Sequence, residues 1–296
     1  MKTVIIGDIR IDKLVESDGP FADVDFLLPA IDANLLTEHA DWLYPRYVEP
    51  QTNKVIMSFH SLIIRTPRST ILVDCCVGND KNRPSRPGWH QLQTPWLDRL
   101  AQIGLQPEDI DTVLCTHLHA DHVGWNTRLI DGQWVPTFPN ARYVFARTEY
   151  QYWESAQQTH TGDTPLNHGC FDDSVLPVIN AGHAVLVDAD HELETGIWLE
   201  PAPGHTPGNV VINVQSGQRH AILCGDVMHT AIQLANPELS SRFCLDPDQS
   251  RVTRRQLIER CADTGIVMLP AHFPTPTAGC ISCHGNSFRY IDPAYN

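Results

Sequence analysis

With 296 residues, 42% of them hydrophobic, the chain has ample material for a packed core of one large domain or two, which excludes intrinsic disorder. Its formal net charge of -14 repels phosphate backbones and anionic lipid, so neither nucleic acid nor a membrane surface is an expected partner. No apolar run approaches the roughly twenty residues of a membrane span, and MKTVIIGDIRIDKL meets Asp8 too early for a secretory core; the expectation is a cytosolic protein.

The nine cysteines are odd in number and scattered, several inside apolar runs such as TVLCT and AILCG, which describes reduced, buried thiols rather than a disulfide framework. Cys280, Cys283 and His284 spell the C-x-x-C-H pattern of haem attachment. That chemistry belongs outside the cytoplasm, and GCISCHGNSFRYI reads as a closing hairpin, so neither haem nor an accessory metal or redox site is the favoured reading.

In chain order, residues 1–54 open with a short strand in TVIIGDIRI and continue as a Pro- and Asp-sprinkled segment bearing Trp42, Tyr44 and Tyr47. They are expected to form an N-terminal extension packed on a single domain spanning 1–296, and they could cover a second copy in a homodimer. VIMSFHSLII and TILVDCC are β-branched runs joined by TPRS, which predicts a hairpin. TPWLDRLAQIG predicts a surface helix, with Thr94 as cap, Pro95 at the first position and Gly104 beyond its end. A strand at 112–115, a hairpin around Asp131-Gly132, strand RYVFA and a helix from about Thr148 follow. Residues 159–182 read as irregular. Short strands recur near 184–188, 197–200, 210–214 and 220–224, then a helix over roughly 250–263 and a strand IVML. Short hairpins outnumber long crossovers, so two mixed β-sheets with outer helices are preferred to a doubly wound parallel sheet.

The chemistry concentrates in CTHLHADHVGWN, where His117, His119, Asp121 and His122 fall within six positions. Neither a helix nor a strand puts all four on one face, so a loop curling round an ion at the end of the 112–115 strand fits better, with Gly124 marking the turn beyond. Three further stretches end a strand in a turn with one ligand-type residue: PAPGHTPGN with His205, ILCGDVMH with Asp226 and IVMLPAHFP with His272. Each alone reads as an ordinary turn or core residue. Taken together that reading weakens, and the 117–122 cluster alone already supplies more than a single tetrahedral zinc needs, about four ligands with water in one place at a catalytic site, which suggests two ions.

THLHADH, with ILVDCC before it and GHTPGN, CGDVMH and LPAHF after it in that order, resembles the metallo-β-lactamase superfamily. The resemblance implies an αββα sandwich of two mixed β-sheets with helices on the outer faces and metals at one edge. It assigns His117, His119 and His205 to one metal, Asp121, His122 and His272 to a second, and Asp226 to a bridge, with Asp74 bracing the histidine loop from behind. Zinc is the default for such donors, and iron, manganese or cobalt fit the same set.

Two adjacent ions would hold a hydroxide at neutral pH that attacks a carbonyl or phosphoryl centre, with Asp121 or Asp226 accepting a proton. Within the superfamily, ILVDCCVGNDK, CTHLHADHVGWN, FPNARYVF and LPAHFPTPTAG look most like the methyl parathion hydrolase-like and lactonase-like branch. That implies a neutral or weakly charged small molecule: a lactone, an ester or an organophosphate triester. The alternatives are a glyoxalase-type thioester hydrolase, a β-lactam hydrolase, and an oxidoreductase resembling persulfide dioxygenases, with one iron on His117, His205 and Asp226. A binding module that merely inherited the fold would have lost a ligand, and none is missing. Trp125, His168, His229 and Phe273 are the candidate pocket residues, although aromatics in such places also serve as core packing.

Overall fold

The computed structural model describes residues 3–291, the side chain of Ala33 left aside. The domain expectation over 1–296 therefore reaches at both ends outside the described residues. The chain folds as two compact units. One takes residues up to Gly7, Ser17–Ser58 and those from Asp190; the other takes Asp8–Glu16 and Phe59–Ala189. They are called here the first and the second unit. Residues 1–54 are thus divided between the two.

The second unit is built on most of a seven-stranded sheet whose order follows the sequence: Val4–Ile6, Ile9–Asp23, Lys54–Arg65, Thr70–Val73, Thr112–Leu114, Arg142–Ala146 and Ala184–Val187. The expected hairpin is present, with Leu62 opposite Val73 and Arg65 opposite Thr70. From Thr70 onward the strands are parallel, because helix Trp96–Gln102 and helix Arg147–Thr159 return the chain to the same edge. Ile63, Leu72, Val113, Tyr143 and Phe145 pack with Trp96, Leu100 and Trp153 into its core. Asp131 and Gly132 both have positive φ, 49° and 78°, as a two-residue hairpin turn requires.

The first unit carries a five-stranded sheet of Glu192–Glu194, Ile197–Pro201, Val210–Ser216, Arg219–Gly225 and Val267–Pro270, in that order. The first three pairings are antiparallel and the last is parallel, across helix Pro247–Cys261. Every residue from Val210 to Val214 is buried, which accounts for the β-branched run there, interrupted by Asn213.

Three local readings differ. Thr94 does not cap its helix: Pro95 holds the cap position, and the Thr94 N–H and hydroxyl both donate to Asn79 Oδ1. TVIIGDIRI is not one short strand: Val4–Ile6 ends at a turn, and a second strand, Ile9–Asp23, runs far beyond that stretch, with a buried Glu16 where an apolar residue would have made it plain. Residues 159–182 contain short helical turns at Leu166–Gly169, Phe171–Val175 and Leu176–Asn180. These are held by a buried ion cluster. Arg83 makes a two-pronged bond to Asp173 at 2.6 and 2.8 Å, and Lys81 Nζ sits 2.6 Å from Thr127 Oγ1 and 3.6 Å above the Trp134 ring. Pattern reading misses such a segment because its order comes from distant charges rather than from apolar periodicity.

Candidate metal centre

In the second unit, the strand Thr112–Leu114 ends and the chain curls through Cys115–His119 into the short helix Ala120–Val123. The curl gathers its imidazoles. The His117 ring centroid lies 4.7 Å from that of His119 and 4.0 Å from that of His122, and His122 Nε2 is 3.9 Å from Asp121 Oδ2. Asp74, following strand Thr70–Val73 in a left-handed conformation of φ 56°, accepts the Thr116 N–H at 2.8 Å and the Thr116 hydroxyl at 2.9 Å. It also lies 2.9 Å from His122 Nδ1, so that nitrogen carries the proton and Nε2 the lone pair, as a metal-ligating imidazole needs.

The loop is buttressed on its other sides as well. Leu118 N–H donates to the buried Glu149, which also accepts from Trp153 Nε1 at 2.7 Å, and the Trp153 ring stands edge-on to His119 at 5.5 Å. Glu16 accepts from the Val77 and Gly78 amides and from Trp125 Nε1. Burial raises the pKa of its carboxyl, with those donors pulling the other way. Gly78 and Gly124 meet backbone to backbone: a Cβ on Gly124 would fall 1.8 Å from the Val77 carbonyl oxygen. None of Glu16, Glu149 or the 78–124 contact was foreseen, though Glu16 shares a strand face with Leu14, two residues away.

In the first unit, three strand ends deliver His205, Asp226 and His272, each almost fully buried. His205 Nε2 is 3.2 Å from Asp226 Oδ2 and His272 Nε2 is 3.1 Å from Asp226 Oδ1. His229, one turn on from the aspartate, puts its own Nε2 3.2 Å from Asp226 Oδ2. On the far side of the rings, His272 Nδ1 donates to the Ser58 carbonyl at 3.3 Å, and His205 Nδ1 lies 3.7 Å from Cys244 Sγ. With its proton on Nδ1, His272 turns an Nε2 lone pair toward a carboxylate. Two such electron-rich atoms repel at this distance unless a cation or an added proton lies between them, and charging several imidazoles in a buried site is expensive. The donor set therefore suits a metal ion.

Among the described residues, the ligands expected from the sequence gather within each unit: His117, His119, Asp121 and His122 in the second, and His205, Asp226 and His272 in the first. Asp74 stands behind His122 and Thr116. The pocket candidates divide. Trp125 is 3% exposed and stacks on Trp96 at 5.2 Å, and the fully buried Phe273 packs between Tyr47 and Tyr290, so both occupy core positions rather than a cleft wall. His229 adjoins Asp226, as above. His168 is half-buried, 2.8 Å from Ser85 Oγ and edge-on to Trp89; its pKa is lowered by burial first and then by Arg86. No disulfide joins the cysteines among the described residues, and all but Cys283 are buried. Cys280 and Cys283 lie three apart on one strand, which points them to opposite faces and leaves no shared ligand geometry.

The family model of the metallo-β-lactamase superfamily matches residues 60–272. The chain belongs to the metallo-β-lactamase superfamily. Superfamily relatives include a probable metallo-hydrolase of Mycobacterium tuberculosis, 27% identical over 57% of this chain and 56% of its own length. An N-acyl homoserine lactonase of a Bacillus species is 27% identical over 42% of this chain and 40% of its own. The chain thus spans about half the length of the curated relatives it matches. Among solved superfamily structures, the hydrolase AbOPH aligns with a TM-score of 0.78 at 22% identity, over 98% of this chain and 96% of that one. The dizinc quorum-quenching lactonase AidC, in complex with a product, aligns at 0.76 and 20%, over 98% and 96%. At these identities the likeness establishes the metallo-β-lactamase fold.

Proposed function

We propose that the chain is a dinuclear-metal hydrolase with two divalent cations, zinc by default, and that His117, His119, Asp121, His122, His205, Asp226 and His272 are their ligands. The observation that carries this reading is the buried Asp226 carboxylate faced by His205 and His272 Nε2 at 3.2 and 3.1 Å, an arrangement that calls for positive charge. When bound, such a pair of ions supplies nucleophilic water at neutral pH and a Lewis acid for the substrate oxygen. Asp226 and Asp121 are the carboxylates in reach of that chemistry, and each is suited to take a proton on its way to the leaving group. Asp74 keeps His122 in one tautomer and one orientation.

The substrate proposed is a neutral or weakly charged lactone, ester or phosphotriester. The lactone stands first, because N-acyl homoserine lactonases are among the relatives, and the acidic surface disfavours polyanions. Elemental analysis with an oxygen electrode and a panel of a lactone, a phosphotriester, an aryl ester, a thioester and a cephalosporin tests it. About two metal ions per chain with strongest turnover of the lactone is the expected result. One iron per chain with oxygen consumption would replace it by the mononuclear dioxygenase chemistry.

A further inference from the structure

His119 occupies the cap position of helix Ala120–Val123, yet its side chain makes no capping bond. A residue committed to a metal has no ring nitrogen to spare for the amides that every helix start leaves without a partner within the helix. In this structure a distant side chain supplies that service. Asn167 Oδ1 accepts the Ala120 N–H at 3.3 Å, and Asn167 Nδ2 donates to the Leu118 carbonyl at 2.7 Å. One carboxamide therefore spans the two peptide groups that flank His119. Cys170 Sγ adds a weaker contact of 3.5 Å to the same Leu118 oxygen.

The backbone has been bent to bring that amide there. Asn167, His168 and Gly169 all have positive φ, 47°, 57° and 81°, and two of these residues carry side chains that the left-handed region disfavours. Such a run persists only where its surroundings impose it. The restraint is visible on the next turn, where Asp173 is gripped by Arg83, and the Arg83 guanidinium also donates to the His168 carbonyl at 3.0 Å. A fully buried ion cluster thus fixes the turn, and the turn fixes the amide.

We propose that Asn167 is a positioning residue for the metal centre: it holds the Leu118 to Ala120 peptides so that His119, and Asp121 one residue beyond, are presented as donors before any ion arrives. The inference rests on the metal-centre reading above. It follows that a carboxylate, which keeps the acceptor and loses the donor, will not substitute for the amide, since it would set an anionic oxygen against the Leu118 carbonyl.

Asn167→Asp and Asn167→Gly test this with the full chain. The glycine variant removes the amide while accepting the left-handed backbone without strain, so it protects the test against a simple folding failure. Zinc retention measured against a competing chelator is expected to fall about ten- to a hundredfold in both variants. The visible absorption of the cobalt-loaded protein is expected to change in shape, while the melting temperature of metal-free Asn167→Gly stays within a few degrees of the parent. Unchanged zinc affinity and an unchanged cobalt spectrum would overturn the proposal and leave Asn167 a purely structural turn residue. If the parent chain itself takes up no metal, the metal-centre reading fails first, and the two failures are told apart.

Discussion

The two groups of proposed metal donors are built on opposite plans. The second unit takes four donors from six consecutive positions and fastens the loop that bears them, with Asp74 and Glu149 accepting hydrogen bonds from it and Asn167 both accepting one and donating one. The first unit takes three donors from three separate strand ends and aims them at a single carboxylate. A loop has many conformations, so its donors need bracing; donors at strand ends inherit their positions from the ladder and need little. Bracing side chains are accordingly dense around residues 116–122, whereas the outer ring nitrogens of His205 and His272 face Cys244 Sγ and the Ser58 carbonyl. The same chemical task is done once by local bracing and once by sheet register.

The largest effect expected from breaking this contrast is at its simplest point. Asp226→Ala should release at least one metal ion and lower turnover by about a thousandfold or more, some 4 kcal/mol of barrier, with the fold kept. Metal analysis alongside circular dichroism checks it, and full activity with both metals retained would remove Asp226 from the bridging role. A smaller loss is expected on the braced side. Asp74→Asn keeps the shape but exchanges a double acceptor for an amide facing the Thr116 and His122 donors, and metal affinity should drop about ten- to a hundredfold by chelator competition. Equal losses from the two substitutions would erase the distinction between donor and brace.

A separate test concerns pH and the buried cluster that steadies the second unit. Burial first, and then the neighbouring Arg83, lower the Lys81 pKa from 10.5 to about 7 despite the attraction of Asp173. Between those values the unfolded chain binds a proton that the folded chain does not, so this group adds stability as pH rises from about 7 toward 10.5 and adds none of this dependence below 7. Denaturant titrations of parent and Lys81→Met at pH 6, 8 and 9.5 should show a rise in the parent that the variant lacks. Parallel curves would contradict the buried, neutralised lysine.

The sequence carried different parts of this molecule to different degrees. Strands such as Arg142–Ala146 and Val210–Ser216 were plain because they are rich in β-branched or aromatic residues, and the 131–132 turn because its two residues tolerate positive φ. The 117–122 donors were legible from density alone. His205, Asp226 and His272 were not, since each is an ordinary turn residue by itself, and only the ordered set of motifs resembling the superfamily drew them together. Glu16, Glu149 and Asn167 stayed hidden for a further reason: their importance lies in the backbone amides and carbonyls they engage, and a backbone group leaves no letter in a sequence. Trp125 and Phe273 were placed beside the ligands by adjacency, yet neighbouring residues in a tight loop turn their side chains in opposite directions, here into the core.

The contact of Gly78 with Gly124 has a practical corollary for anyone altering what this chain acts on. Two main chains touch there with no room for a single methyl group, which rivets the end of one strand to the far end of the histidine loop. Insertions near residues 75–78 would be transmitted undiluted to the imidazoles. The tip of the hairpin Thr127–Pro136, where Leu129 and Ile130 are exposed, is the safer ground for remodelling, provided that Thr127 and Trp134 keep their contacts with Lys81.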